Sequence, residues 1–155
     1  FGRRQFDAIP EGAGSVEIHR GDAKHLPFED NTYDFVYCNP PFFQLEKYSE
    51  DSDDLASLSS LEDWLEASGQ AMLEMGRVAK PGALIATVMA DYRSEGAIVP
   101  LGARWIEQGL KSNLILHDFV IQRLLSQQVT MWRQAYNARR TAKTHEYIIV
   151  FRVPG

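Results

Sequence analysis

The run Phe35-Val36-Tyr37-Cys38 constrains the fold of this chain most, because it is continuously apolar and is cut off almost at once by Pro40-Pro41. A strand covered on both faces reads this way, as in a parallel sheet, whereas a strand with one wet face alternates. Proline stops such a strand because it has no N–H to give the ladder. Tyr33 to Cys38 is therefore expected to be a buried strand. Ahead of it, Ser15-Val16-Glu17-Ile18-His19 alternates polar and apolar, which predicts a shorter strand ending at Gly21-Asp22-Ala23. Phe1 to Ile9 reads as the end of a helix, broken by Pro10-Glu11-Gly12-Ala13-Gly14.

Beyond a polar, acidic loop from Gln44 to Ser57, Ser60 can N-cap a helix, with Asp63 three residues on in the capping-box position. Leu61, Trp64, Leu65, Ala71, Met72, Met75 and Val78 give that helix one apolar face. Lys80-Pro81-Gly82 ends it, and Ala83 to Ala90 reads as a third buried strand. Pro100 to Lys111 predicts another helix, carrying Leu101, Trp105, Ile106 and Leu110. Leu114 to Leu124 and Tyr147 to Val153 read as strands, with a loop between them to about Thr144. Strands alternating with helices imply a doubly wound α/β sheet. The last two strands have no helix between them, so they are expected to pair antiparallel at one edge.

A length of 155 residues suits one domain, and a hydrophobic fraction of 45% suffices for a core. No apolar run is long enough to span a bilayer, and Phe1-Gly2-Arg3-Arg4 does not begin a signal peptide. The single cysteine, Cys38, allows no internal disulfide and no paired-cysteine zinc site, which points to a reducing, cytoplasmic compartment. His19, His25, His117 and His145 have no ligand spacing, so no metal is expected. The net charge of −5 argues against a generic nucleic-acid binder. The charge is uneven, however: Glu50, Asp51, Asp53 and Asp54 are acidic, whereas Arg123, Arg133, Arg139, Arg140, Lys143 and Arg152 make the C-terminal part basic enough to meet a phosphate backbone, although on charge alone a solvated surface is the plainer reading.

In a doubly wound sheet, ligands bind beyond the carboxyl ends of the strands. Gly21-Asp22-Ala23 and Asn39-Pro40-Pro41-Phe42 stand at two such ends. The second group suits one kind of chemistry. An exocyclic amine on adenine or cytosine is a poor nucleophile because its lone pair is delocalised into the ring. A fixed acceptor that holds an amino hydrogen favours a tetrahedral nitrogen and frees that pair. Asn39 offers a side-chain carbonyl, and Pro40 offers a backbone carbonyl stiffened by Pro41. Phe42 offers a ring on which a base can stack, worth roughly 1–3 kcal/mol per base. Taken singly, a Pro-Pro pair is more often a chain stop and a following Phe more often core.

The joint pattern of Gly21-Asp22-Ala23, Leu26-Pro27-Phe28, Asp34-Phe35-Val36 and Asn39-Pro40-Pro41-Phe42 resembles the class I S-adenosylmethionine-dependent methyltransferases that act on DNA amino groups, adenine N6 or cytosine N4. Arg77-Val78-Ala79-Lys80-Pro81-Gly82 resembles that family's passage from helix to strand. Phe43, Leu45-Glu46-Lys47-Tyr48, Trp64-Leu65 and the closing run His145-Glu146-Tyr147-Ile148-Ile149-Val150-Phe151-Arg152 are also similar. The resemblance implies a Rossmann-like, mostly parallel sheet with an antiparallel C-terminal edge. It implies S-adenosyl-L-methionine as cofactor, with Asp22, Ala23 and Asn39 near it. It also implies Asn39, Pro40, Pro41 and Phe42 as the catalytic turn and nucleic acid as substrate, DNA ahead of RNA and adenine ahead of cytosine. Phe43 and Tyr48 are candidates to line the base pocket, with loop packing an equal alternative, and Arg93 in Asp91-Tyr92-Arg93, beyond the third strand, is a candidate substrate contact, although capping the strand end is the plainer role. Trp132 and Tyr136, set among arginines, could stack on unpaired bases, but aromatic core is the commoner explanation.

One departure stands out. The family's glycine-rich cofactor loop is not found, since Gly12-Ala13-Gly14 precedes a strand rather than following one, and the acidic residue that would grip the ribose is missing. Residues 1–155 therefore read as a partial methyltransferase domain lacking its first strands, which a missing N-terminal segment or a homodimer would complete. Two other functions compete: RNA adenine methylation, and a methyltransferase-like subunit that binds nucleic acid without turnover. Methylation of a protein glutamine amide uses a similar turn, usually ending in Tyr.

Overall fold

The computed structural model describes residues 14–43, 55–58, 60–124, 136–137 and 145–155. The helix expected over Phe1 to Ile9, Tyr48, Trp132 and most of the acidic and basic loops lie outside these residues. A four-stranded sheet has the order β1 (Tyr33–Cys38), β2 (Ala79–Met89), β6 (His145–Arg152), β5 (Ile115–Arg123). Strand β1 is parallel to β2, while β6 is antiparallel to both β2 and β5. Three of the four strands thus run the same way, with β6 reversed between two of them.

Between β1 and β2 the chain forms helix α1 (Leu61–Val78), and between β2 and β5 it forms a short hairpin of β3 (Tyr92–Ser94) and β4 (Ala97–Val99), then α2 (Leu101–Lys111). Ser60 caps α1 as its sequence predicts: its side chain accepts from the Asp63 N–H at 3.0 Å. Helix α1 stops at Val78, and β2 begins at once, taking in Lys80-Pro81-Gly82. The register jumps there from Tyr33 opposite Ala79 to Phe35 opposite Leu84, and Gly82 adopts φ +80°. The sequence break is therefore a bulge inside the strand, as suits a proline with no ladder N–H.

Ser15–His19 is not a strand in the structure: Gly14–Arg20 is exposed and forms no ladder. A strand needs a hydrogen-bonded neighbour, and within the described sheet β1 is paired only with β2. The same open side explains why Phe35 and Tyr37, expected to be covered, are exposed.

The core lies between the helices and one face of the sheet. Trp64, Met72, Leu101 and Trp105 from the helices meet Ile85, Met89, Ile149 and Phe151 from β2 and β6, all fully buried. Helix α2 comes close enough to β6 that a Cβ on Gly109 would run into the Phe151 ring, and one on Gly102 would sit 2.7 Å from Tyr147 Cδ2. The hairpin turns at Glu95 (φ 50°) and Gly96 (φ 85°), two successive positive φ values of the type I′ kind.

Candidate active site

Parallel pairing of β1 and β2, with Cys38 opposite Thr87, puts the carboxyl ends of both strands on one rim. Asn39–Phe43 leaves β1 there, and Asp91 with the β3–β4 hairpin leaves β2 beside it. The Phe43 and Tyr92 rings meet at 6.2 Å, joining the two exits.

Within the turn, Asn39 is exposed, Pro40 is buried, Pro41 is half-buried and Phe42 is 8% exposed. Pro40 and Pro41 have no N–H to donate, so the β1 ladder cannot continue through the turn. The Pro41 carbonyl accepts from Trp64 Nε1 at 3.3 Å. The Asn39 side chain and the Pro40 carbonyl have no hydrogen-bond partner among the described residues. Two acceptors therefore stand next to each other in a stiff turn, one exposed and one at its base.

Behind the turn is a polar thread through the core. The Trp64 ring lies tilted against Trp105 at 5.7 Å, Trp105 Nε1 donates to Thr87 Oγ1 at 2.8 Å, and Thr87 Oγ1 donates to the Ile149 carbonyl at 3.2 Å. Each buried donor is thus paired, as burial demands. Phe43 belongs to this scaffold: it is 4% exposed and lies against Trp64 at 6.5 Å as well as Tyr92, the packing role that its sequence left open beside a place in the base pocket. An apolar ring beside two aromatic neighbours is more stable dry.

Asp91 ties the exit of β2 to its surroundings. Its Oδ1 accepts from the Gly102 N–H at 3.0 Å, capping α2, whose Pro100 supplies no side-chain cap; its Oδ2 accepts from the Tyr147 hydroxyl at 2.9 Å. Burial and the Asp91 carboxylate both raise the Tyr147 pKa, so Tyr147 stays a neutral donor. Arg93 donates to the Gly96 carbonyl of its own hairpin at 3.3 Å. Asp22 and Ala23 lie in an exposed turn closed by an Asp22–His25 bridge. The Asp22 carboxyl accepts from the Lys24 N–H at 2.9 Å, which lowers its pKa and keeps it ionised. Its described polar contacts go to Lys24 and His25 in that same turn.

Desolvation pushes the Cys38 thiol up to about 11, so it is no thiolate nucleophile. The parts missed by sequence reasoning are the hairpin, the Asp91 anchor and the link from Trp64 to Pro41. The available signals were Glu95-Gly96 for the turn and a Trp in an apolar stripe, whose N–H must find a partner when buried.

A family model described as a methyltransferase domain matches residues 3–51. Among solved structures, a protein assigned as a DNA modification methylase from Thermus thermophilus aligns with a TM-score of 0.65 at 22% identity, covering 89% of this chain and 55% of that one. The fold is that of a methyltransferase. This methyltransferase fold also aligns with the cytosine-N4-specific PvuII DNA methyltransferase, TM-score 0.63, 13% identity, covering 86% of this chain and 49% of that one. An S-adenosylmethionine-dependent methyltransferase from Methanosarcina mazei aligns with a TM-score of 0.56 and 14% identity over 97% of this chain and 75% of that one. The chain spans about half the length of the first two proteins. No curated protein matches it. Among the described residues of this methyltransferase fold, no helix is long and apolar enough to cross a membrane.

Proposed function

We propose that this chain carries the catalytic turn of an S-adenosylmethionine-dependent methyltransferase acting on the exocyclic amino group of a DNA base, adenine N6 ahead of cytosine N4. One observation carries the reading: exposed Asn39 and a Pro40 carbonyl without a partner among the described residues, side by side at the carboxyl rim of parallel strands. The likeness to a T. thermophilus DNA modification methylase solved with S-adenosyl-L-methionine supports it, at 21% identity and a TM-score of 0.63.

The residues present suit such a cofactor. Asp22 is an ionised, exposed acceptor beside Ala23, and the Asn39 amide has no partner among the described residues. Asp22 and Ala23 would hold the cofactor's adenine end and Asn39 would face its reactive end. When bound, the cofactor supplies an electrophilic methyl group. The chain's part is to present the amine. Asn39 Oδ1 and the Pro40 carbonyl accept amino hydrogens and turn the nitrogen lone pair out of the ring, while Phe42 walls the base. The amine sheds its proton readily once methylated, so no strong base is required, and the contribution is orientation and electrostatics. A base in duplex DNA would have to be flipped out to reach Asn39. Arg93 and Tyr48 are substrate-contact candidates, and the setting would be a reducing, cytoplasmic one.

The test is methyl transfer to DNA and to RNA, with the product base identified by mass spectrometry. N6-methyladenine in DNA, lost in Asn39→Ala, is the expected result. Transfer that survives Asn39→Ala would sink the mechanism, and preference for RNA would move the substrate class.

A further inference from the structure

We infer that Trp64 is a positioning residue for methyl transfer, its indole N–H fixing the Pro41 carbonyl and so the direction in which Asn39 and Pro40 present their oxygens. This rests on the reading of the Asn39–Phe42 turn as catalytic. Trp64 is fully buried and cannot touch a substrate, so any effect it has on the chemistry passes through the turn. The prolines fix φ at positions 40 and 41. What remains is rotation about ψ, which swings each carbonyl. The hydrogen bond from Trp64 Nε1 to the Pro41 oxygen, 3.3 Å, removes that freedom at the end of the pair.

Trp64 is itself held through its backbone and its ring. Ser60 caps the helix turn that carries it, the Ser68 hydroxyl donates to the Trp64 carbonyl at 2.6 Å, and the Trp105 ring lies 5.7 Å away. Trp105 is in turn pinned to Thr87, the β2 residue opposite Cys38. The acceptors are thus referenced to the adjacent strand through two indoles. A Trp that merely fills the core needs its volume and not its N–H; a positioning Trp needs the N–H.

Site-specific replacement of Trp64 by benzothienylalanine keeps the bicyclic volume and swaps the N–H for sulfur. The expected melting temperature is within a few degrees of wild type. Turnover should fall about tenfold or more, the scale on which small misplacements act, with KM for S-adenosylmethionine unchanged. Carbon and nitrogen NMR of the same full chain should show a shifted Pro41 carbonyl and new microsecond–millisecond exchange at the Asn39 side-chain amide. Trp64→Phe, which deletes the same donor and some volume, should lose at least as much turnover. Unchanged turnover in either variant, or unchanged Asn39 and Pro41 signals, overturns the inference. If the wild-type chain methylates neither DNA nor RNA, the catalytic reading of the turn falls instead, and the NMR comparison alone decides whether Trp64 sets its geometry.

Discussion

Helix α1 holds a different segment at each of its ends, and it does so by opposite means. At its first turn, Trp64 meets the Asn39–Phe43 turn through a buried indole hydrogen bond and aromatic rings. At its last turn, Arg77 and Glu74 grip residues Leu26 to Asp30 with charges. Arg77 donates to both Glu74 oxygens, to the carbonyls of Leu26 and Phe28, and to Asp30 at 2.7 Å, while Glu74 accepts from the Leu26 N–H at 2.8 Å. The helix's backbone finishes the clamp: the Arg77 and Val78 carbonyls accept from the N–H groups of Asn31 and Thr32. The neutral end carries little pH dependence, and on the proposed reading it fixes the direction of the turn's acceptors. The charged end binds a mostly exposed segment firmly but only while its carboxylates are ionised. The difference teaches that one helix can serve as a ruler at one end and as a latch at the other.

The largest expected effect separates the two ends by function. Asn39→Ala should cut methyl transfer by more than about a hundredfold, the scale of removing one preorganised polar contact, with an unchanged melting curve. Asp30→Asn, at the latch end, should leave turnover intact, and a comparable loss there would erase the distinction. Next comes the scaffold behind the ruler. Gly109→Ala drives a methyl group into Phe151 and should cost about 1–3 kcal/mol in chemical denaturation; a neutral result would mean that α2 can shift away from β6.

The latch has a pH signature. Hydrogen bonds from Arg77 hold the Glu74 carboxyl at about 2, below its ordinary 4.5. A lowered folded-state pKa adds stability that is complete above about 4.5 and disappears as the pH falls toward 2. Acid unfolding monitored by circular dichroism should therefore flatten across that window in Glu74→Gln. An unchanged acid limb would assign the sensitivity to other carboxylates. The smallest effect concerns Cys38: with its thiol near 11, alkylation at pH 8 should be slow in the folded chain and rapid in denaturant. Rapid labelling of the folded chain would mean that β1 opens readily.

Periodicity and punctuation carried most of this architecture. The α1 stripe from Leu61 to Val78, its Ser60 cap, and the antiparallel pairing of the last two strands all follow from local rules and appear in the structure. What failed were features that depend on a neighbour distant in sequence. Ser15–His19 alternates like a strand but has no described ladder partner. The burial of Phe43 was equally illegible, because nothing local reveals that Trp64 and Tyr92 close over it. The catalytic candidates were legible because proline stiffness and an Asn carbonyl are properties of the residues themselves. The Trp64 link was not, because a buried indole announces that it needs an acceptor without saying which.

The position of β6 has a consequence for how the molecule assembles. It follows β5 in the chain by a long connection, yet it lies between β2 and β5 and is hydrogen-bonded to both. As the polypeptide emerges, β2 and β5 have no ladder in common until His145–Arg152 arrives to join them. Insertion of that strand closes the sheet, and its loop-closure entropy is expected to slow folding more than it weakens the finished sheet. Until then β5, with Phe119, Val120 and Ile121 exposed even in the completed fold, is an apolar ribbon open to wrong partners.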